Sequence, residues 1–111
     1  MTRAPAVIGP VSGERLVESL MAAGLSGAVL VVADAAATGR LGPLWAREFA
    51  AAGRVHRVRQ GGDVAALVTE ARGLGAAAVA GVGDGHLLAT AAAAAAAAGL
   101  PFIRCPAVAV R

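Results

Sequence analysis

Two stretches of this chain are apolar without a break: GAVLVVA over 27–33 and AAAVAGVG over 76–83. A strand with one wet face alternates apolar and polar residues; an unbroken run of this length suits a strand covered on both faces, as in a parallel sheet sandwiched by helices. That requirement excludes most small folds. It asks for helices before and after each run, and the remaining sequence supplies them.

The short AVIG run, residues 6–9, opens as a strand. Ser12 is an N-cap for a helix that turns Leu16, Val17, Leu20 and Met21 inward and stops at Gly24. After the strand ending on Asp34 comes a loop around ATGRLG, residues 37–42, with Pro43 as the first residue of a helix through Leu44, Trp45, Phe49 and Ala50 to Gly53. RVHRV, residues 54–58, is a weaker strand near the sheet edge. Asp63 caps a helix through Ala66, Leu67, Val68 and Ala71, released at Gly73 or Gly75. The second apolar run follows, then a long helix from Leu87 to Ala98, and PFIRCP, residues 101–106, closes the set. Strand and helix alternate throughout, which predicts an α/β fold: an open, mainly parallel, Rossmann-like sheet with right-handed crossovers and helices on both faces. The 111 residues make one domain.

Charge and composition exclude several functions. All ten basic residues are arginine, so a lysine phosphate loop, a Schiff base and lysine acid–base chemistry are ruled out. The net charge of +3 is concentrated only in RVHRVRQ, residues 54–60, which has no aromatic stacking partners; arginines on the solvent side of an edge strand explain it, and nucleic acid is not an expected ligand. Cys105 is alone, which excludes a disulfide framework and a cysteine zinc site. No hydrophobic signal-peptide core opens the chain, and the apolar region from Leu87 to Ile103 is broken by Gly99 and Pro101, so the expected setting is cytoplasmic with no membrane partner. A receiver-like signalling domain shares the alternation but would need an acidic pair and a lysine that are absent.

Ligands of open parallel sheets bind at the carboxyl ends of the strands. Asp34 and the turn GVGDG, with Gly81, Gly83, Asp84 and Gly85, both fall there, and His86 follows at the helix start. Glycines at such a turn allow close backbone approach, and a helix start presents unpaired N–H groups to an anion. The same pattern also makes a tight strand–helix corner that binds nothing. His86 is either a cation for a phosphate or an exposed histidine at a helix start.

The segment VAGVGDGHLLATAAAAAAAAGLPFIRCPAVAV, with VIGPVSGERLVESLMAAGLSGAVLVVAD and the GGD at Gly61 to Asp63 upstream, resembles the N-terminal nucleotide-binding half of glycerol dehydrogenases and related iron- or zinc-dependent alcohol dehydrogenases. The resemblance implies that Gly83 and Gly85 hold a dinucleotide's pyrophosphate and that Asp34 meets the adenosine ribose, which favours NAD; the other reading of Asp34 is a loop aspartate that caps a helix. It does not separate glycerol dehydrogenase from sister alcohol, maleylacetate or polyol-phosphate reductases. Four positions depart from the pattern: Asp84 replaces the middle glycine, Ala89 an aspartate, Ala92 a lysine and Ala107 a threonine. A carboxylate beside a pyrophosphate opposes binding by on the order of 1–3 kcal/mol, so NAD binding is expected to be weak or lost. The divalent metal is expected only in a C-terminal helical domain that this chain lacks. The expected function is therefore the cofactor-binding half of a truncated or split NAD-dependent polyol or alcohol oxidoreductase, inactive alone and partnered by the missing domain. The alternative is a non-catalytic remnant acting as an interaction module, prone to self-association.

Overall fold

The two apolar runs become neighbouring central strands. The computed structural model describes residues 6–107. Its elements run in the order β1 (Val7–Ile8), a short 3-10 turn (Gly13–Arg15), α1 (Leu16–Ala22), β2 (Ala28–Ala33), α2 (Ala35–Ala51), β3 (His56–Arg59), α3 (Val64–Leu74), β4 (Ala76–Gly83), α4 (Gly85–Ala98) and β5 (Phe102–Pro106). The sheet order is β1-β5-β4-β2-β3, and every pairing is parallel. The α/β sheet with helices on both faces is thus as expected, and β3 lies at an edge.

Side chains of period two sort onto the two faces. Val29, Val31 and Ala33 of β2, Ala78, Ala80 and Val82 of β4, and Ile103 and Cys105 of β5 meet Leu16, Leu20, Leu41, Trp45 and Phe49 from α1 and α2. Leu30, Val32, Val79 and Phe102 point the other way, onto Leu67 and Ala71 of α3 and Leu88, Ala91, Ala94 and Ala95 of α4. The second face is the thinner one. A Cβ on Gly81 would lie 3.0 Å from the Phe102 ring and 3.1 Å from the Ala91 Cβ, so glycine on the strand and alanine on the helix let α4 settle close against β4.

Two expectations fail. Residues 37–42 are not a loop: α2 begins at Ala35, and Pro43 lies in its interior instead of starting it. Ala37, Leu41, Trp45 and Phe49 recur every fourth residue and are all buried, and this stripe outweighs the low helix propensity of Gly39 and Gly42. Pro43 and Gly39 are both exposed, so the Gly39 carbonyl that loses its usual N–H donor can bond water. Trp45 also anchors the 3-10 turn, donating from Nε1 to the Gly13 carbonyl at 2.8 Å. The second failure is Met21, expected inside but 64% exposed at the end of a helix of only seven residues.

At the edge strand, Arg57 and Arg59 both bond Glu70 of α3, Arg59 at 2.8 Å; the pair of guanidinium groups holds the Glu70 carboxyl below its usual range. His56 stacks on Phe49, ring centroids 4.5 Å apart, and burial lowers its pKa below 6.5. Burial also pushes the Cys105 thiol up to about 12, which makes it inert as a nucleophile. Among the described residues no helix is long and apolar enough to cross a membrane.

Two predictions follow from this packing. Gly81→Ala should lower stability by about 1–3 kcal/mol through overpacking, read as a fall in the thermal midpoint. The neutral form of His56 is favoured in the fold, so its contribution is complete above pH 6.5 and declines as the pH falls through its lowered folded value. Denaturant titrations between pH 7 and pH 5 should show that decline, and His56→Phe should remove it. The loss tied to Glu70 starts only below 4.5, so the two are separable.

Candidate functional site

Three helices start at the carboxyl edge of the sheet directly after a strand or a short turn, and each is capped by an aspartate. Asp34 accepts from the Ala37 N–H at 2.7 Å, Asp63 from Ala66 at 2.8 Å and Asp84 from Leu87 at 3.0 Å. A capping carboxylate satisfies an amide that would otherwise lack a partner and complements the positive end of the helix. Sequence reading found this role for Asp63 and offered it as one of two for Asp34, but treated Asp84 only as a lost glycine. The signal was present as Asp-Gly-His-Leu after a buried strand, the same aspartate-then-helix pattern seen at Asp63.

The glycine turn is a close meeting of two strand ends. A Cβ on Gly83 would sit 3.2 Å from the Asp34 Oδ2 and 3.2 Å from the Leu87 Cδ1, so a larger residue would have to push those side chains aside for β4 to end this near both the second helix start and the fourth. The Gly83 carbonyl accepts from Ala107 N at 2.7 Å. Of the sequence-predicted residues, Asp34 and Gly83 are therefore brought together, and Asp84, Gly85 and His86 stand exposed just beyond them at the head of α4. Gly81 is set apart: it is buried inside β4 and its missing side chain is accounted for by Phe102 and Ala91.

Asp84 supplies acceptors for two of the first amides of α4, its side chain for Leu87 and its carbonyl for Leu88. The Gly85 and His86 amides bond no acceptor among the described residues. The edge thus keeps two donors for an anion, beneath a carboxylate of the wrong sign for one.

Two hollows flank the turn. One, of about 290 Å³, is lined by Ser12, Gly13, Arg40 and Leu41 on one side and Val82 and Pro106 on the other. The second, of about 160 Å³, lies between the Gly61–Gly62 turn and His86, Leu87 and Thr90, with Val32 as its floor. Arg40 is the cation of the first hollow, 3.9 Å from Glu14 at an exposed site. The sequence placed it in a loop, so its position one turn into α2 was not foreseen. Among the described residues no three His, Cys, Asp or Glu side chains group as metal ligands, and His56 is far along the chain from His86, engaged with Phe49.

No family model matches the chain, and no curated protein does. Solved structures do match. Maleylacetate reductase from Agrobacterium tumefaciens superposes with a TM-score of 0.70 at 24% identity, over 95% of this chain and 31% of that one. Maleylacetate reductase from Rhizobium sp. strain MTP-10005 gives 0.69 at 24% identity, over 96% and 31%. The fold is that of a segment of these reductases. NADH-dependent butanol dehydrogenase A from Thermotoga maritima shares it, with a TM-score of 0.65 and 20% identity over 94% of this chain and 33% of that one. The fold expected from resemblance to the metal-dependent alcohol dehydrogenases is therefore the one found, and the chain spans about a third of the length of the proteins it matches.

If Asp84 is a cap, replacing it should cost stability. Asp84→Ala is expected to lose about 1 kcal/mol and Asp84→Gly less, by the usual order of N-cap residues, measured by urea denaturation of the three proteins side by side.

Proposed function

We propose that the edge around Gly83 is a dinucleotide subsite and that this chain is the NAD-binding part of an alcohol or polyol oxidoreductase. The observation that carries the reading is the Gly83 turn itself: a glycine in close quarters, set between the Asp34 carboxylate and a helix start whose Gly85 and His86 amides have no acceptor among the described residues. The shape fits a pyrophosphate laid over the head of α4, with Asp34 at the ribose and the two flanking hollows receiving what lies on either side. The Asp34 Oδ1 is already committed to Ala37, which leaves Oδ2, the oxygen nearest Gly83, for a ribose hydroxyl. Arg40 and His86 are the side-chain donors at hand. The charge fits less well than the shape, because Asp84 places its carboxylate at the same helix end. Bound NAD would supply a hydride acceptor; the described residues bind and orient it, and offer no metal group to prepare an alcohol.

The test is a titration of isotopically labelled protein with NAD, followed by amide chemical shifts. Shifts centred on Asp34 and on Gly83 to His86 are expected, at millimolar affinity. Asp84→Gly should tighten binding by about tenfold, since a like charge near the surface is worth roughly that much. No shifts at millimolar NAD in either protein would end the reading. The second reading, a non-catalytic interaction module, would then stand; what favours it is that all three helix starts on this edge carry their own anion.

A further inference from the structure

Away from the carboxyl edge, a groove of about 430 Å³ runs between α1 and the last turns of α2, lined by Glu14, Val17, Glu18, Met21, Glu48, Ala51 and Ala52. Neither the fold nor the dinucleotide reading uses it. The chain has seven acidic side chains, and all seven are accounted for: three aspartates cap helices, Glu70 is held by Arg57 and Arg59, and the remaining three glutamates all line this groove. On a molecule of net charge +3, the free negative charge is gathered around one apolar floor. Met21, 64% exposed, stands in that floor.

We propose that this groove docks one amphipathic helix of a partner protein, with an apolar ridge and arginine or lysine along its flanks. The groove between α1 and α2 has the small residues Ala51 and Ala52 in its wall, and small side chains at a contact let a further helix pack at the close end of the usual 8–10 Å between axes. The apolar ridge covers Val17 and Met21, and the flanking cations meet Glu14, Glu18 and Glu48. Arg15 and Arg40 stand 3.9 Å from Glu18 and Glu14, but all four side chains are more than 60% exposed, and pairs of that kind hold little. Charge also decides against a second copy of the chain: the same face brought against itself would oppose two sets of three glutamates.

The test uses two fluorescein-labelled helical peptides of about 18 residues, identical in a leucine face and carrying either arginine or glutamate along its flanks. By fluorescence anisotropy at low salt the arginine peptide should saturate with a Kd on the order of 10 μM, shifting the amides of Met21, Ala51 and Ala52, and the glutamate peptide should not bind. The double charge reversal Glu18→Arg, Glu48→Arg should weaken the arginine peptide about tenfold and admit the glutamate peptide, a gain that a misfolded protein would not show. Equal affinity for the two peptides, no saturation by the arginine peptide at about 100 μM, or shifts confined to the Asp34 and Asp84 edge would each overturn the proposal. Loss of NAD binding leaves it untouched, because Glu14 alone lines both the groove and a hollow of the dinucleotide edge, and the reversal spares it.

Discussion

The structure depends on β4 being covered closely on both faces. Ala78, Ala80 and Val82 meet the α1 and α2 side, while Val79 and the bare backbone of Gly81 meet Phe102 and the alanines of α4. With so few large side chains, stability rests on short distances instead of bulk. The close seat of α4 also decides where its first turn begins, and hence what stands beside Gly83. Packing in the core and geometry at the rim are therefore one constraint: a residue added at Gly81 would move the helix whose amides define the candidate site.

The rim shows how a small change of chemistry can leave a shape intact. Asp84 stabilises the start of α4 by the same hydrogen bond that Asp34 and Asp63 make at theirs. That bond strengthens the fold locally and places negative charge where a phosphate would sit. Stability of the helix end and affinity for an anion are opposed at this one position. The solved reductases and dehydrogenases share the fold at 20–24% identity, so the backbone scaffold survives wide differences in sequence.

Most of the architecture was legible because it follows from unbroken apolar runs: both central strands, the parallel sheet, the edge position of β3 and the cap at Asp63 could be read off, and of the two glycines offered as the end of α3 the structure uses Gly75. The start of α2 could not. Gly39, Gly42 and Pro43 look like punctuation locally, and only the burial of Ala37, Leu41, Trp45 and Phe49 shows why the helix runs through them. The same error hid Arg40, whose place beside the Gly83 turn depends on α2 beginning at Ala35. Met21 was misread because an inward stripe needs more turns than α1 has. At the candidate site the glycine turn could be located at the carboxyl end of β4, but whether Asp84 faced outward or its own helix was a question of one side-chain torsion, which no spacing records.

Cys105 gives this fold an internal clock. The sole thiol of the chain sits in β5, fully buried beneath the α1 and α2 face and with its pKa raised to about 12. A thiol in that state meets a reagent only when the sheet parts from those helices, so its rate of modification counts openings of the core one molecule at a time. Anything that tightens the α1–α2 layer slows that count, and anything that loosens it is recorded beneath the rim, where Cys105 lies beside Val82.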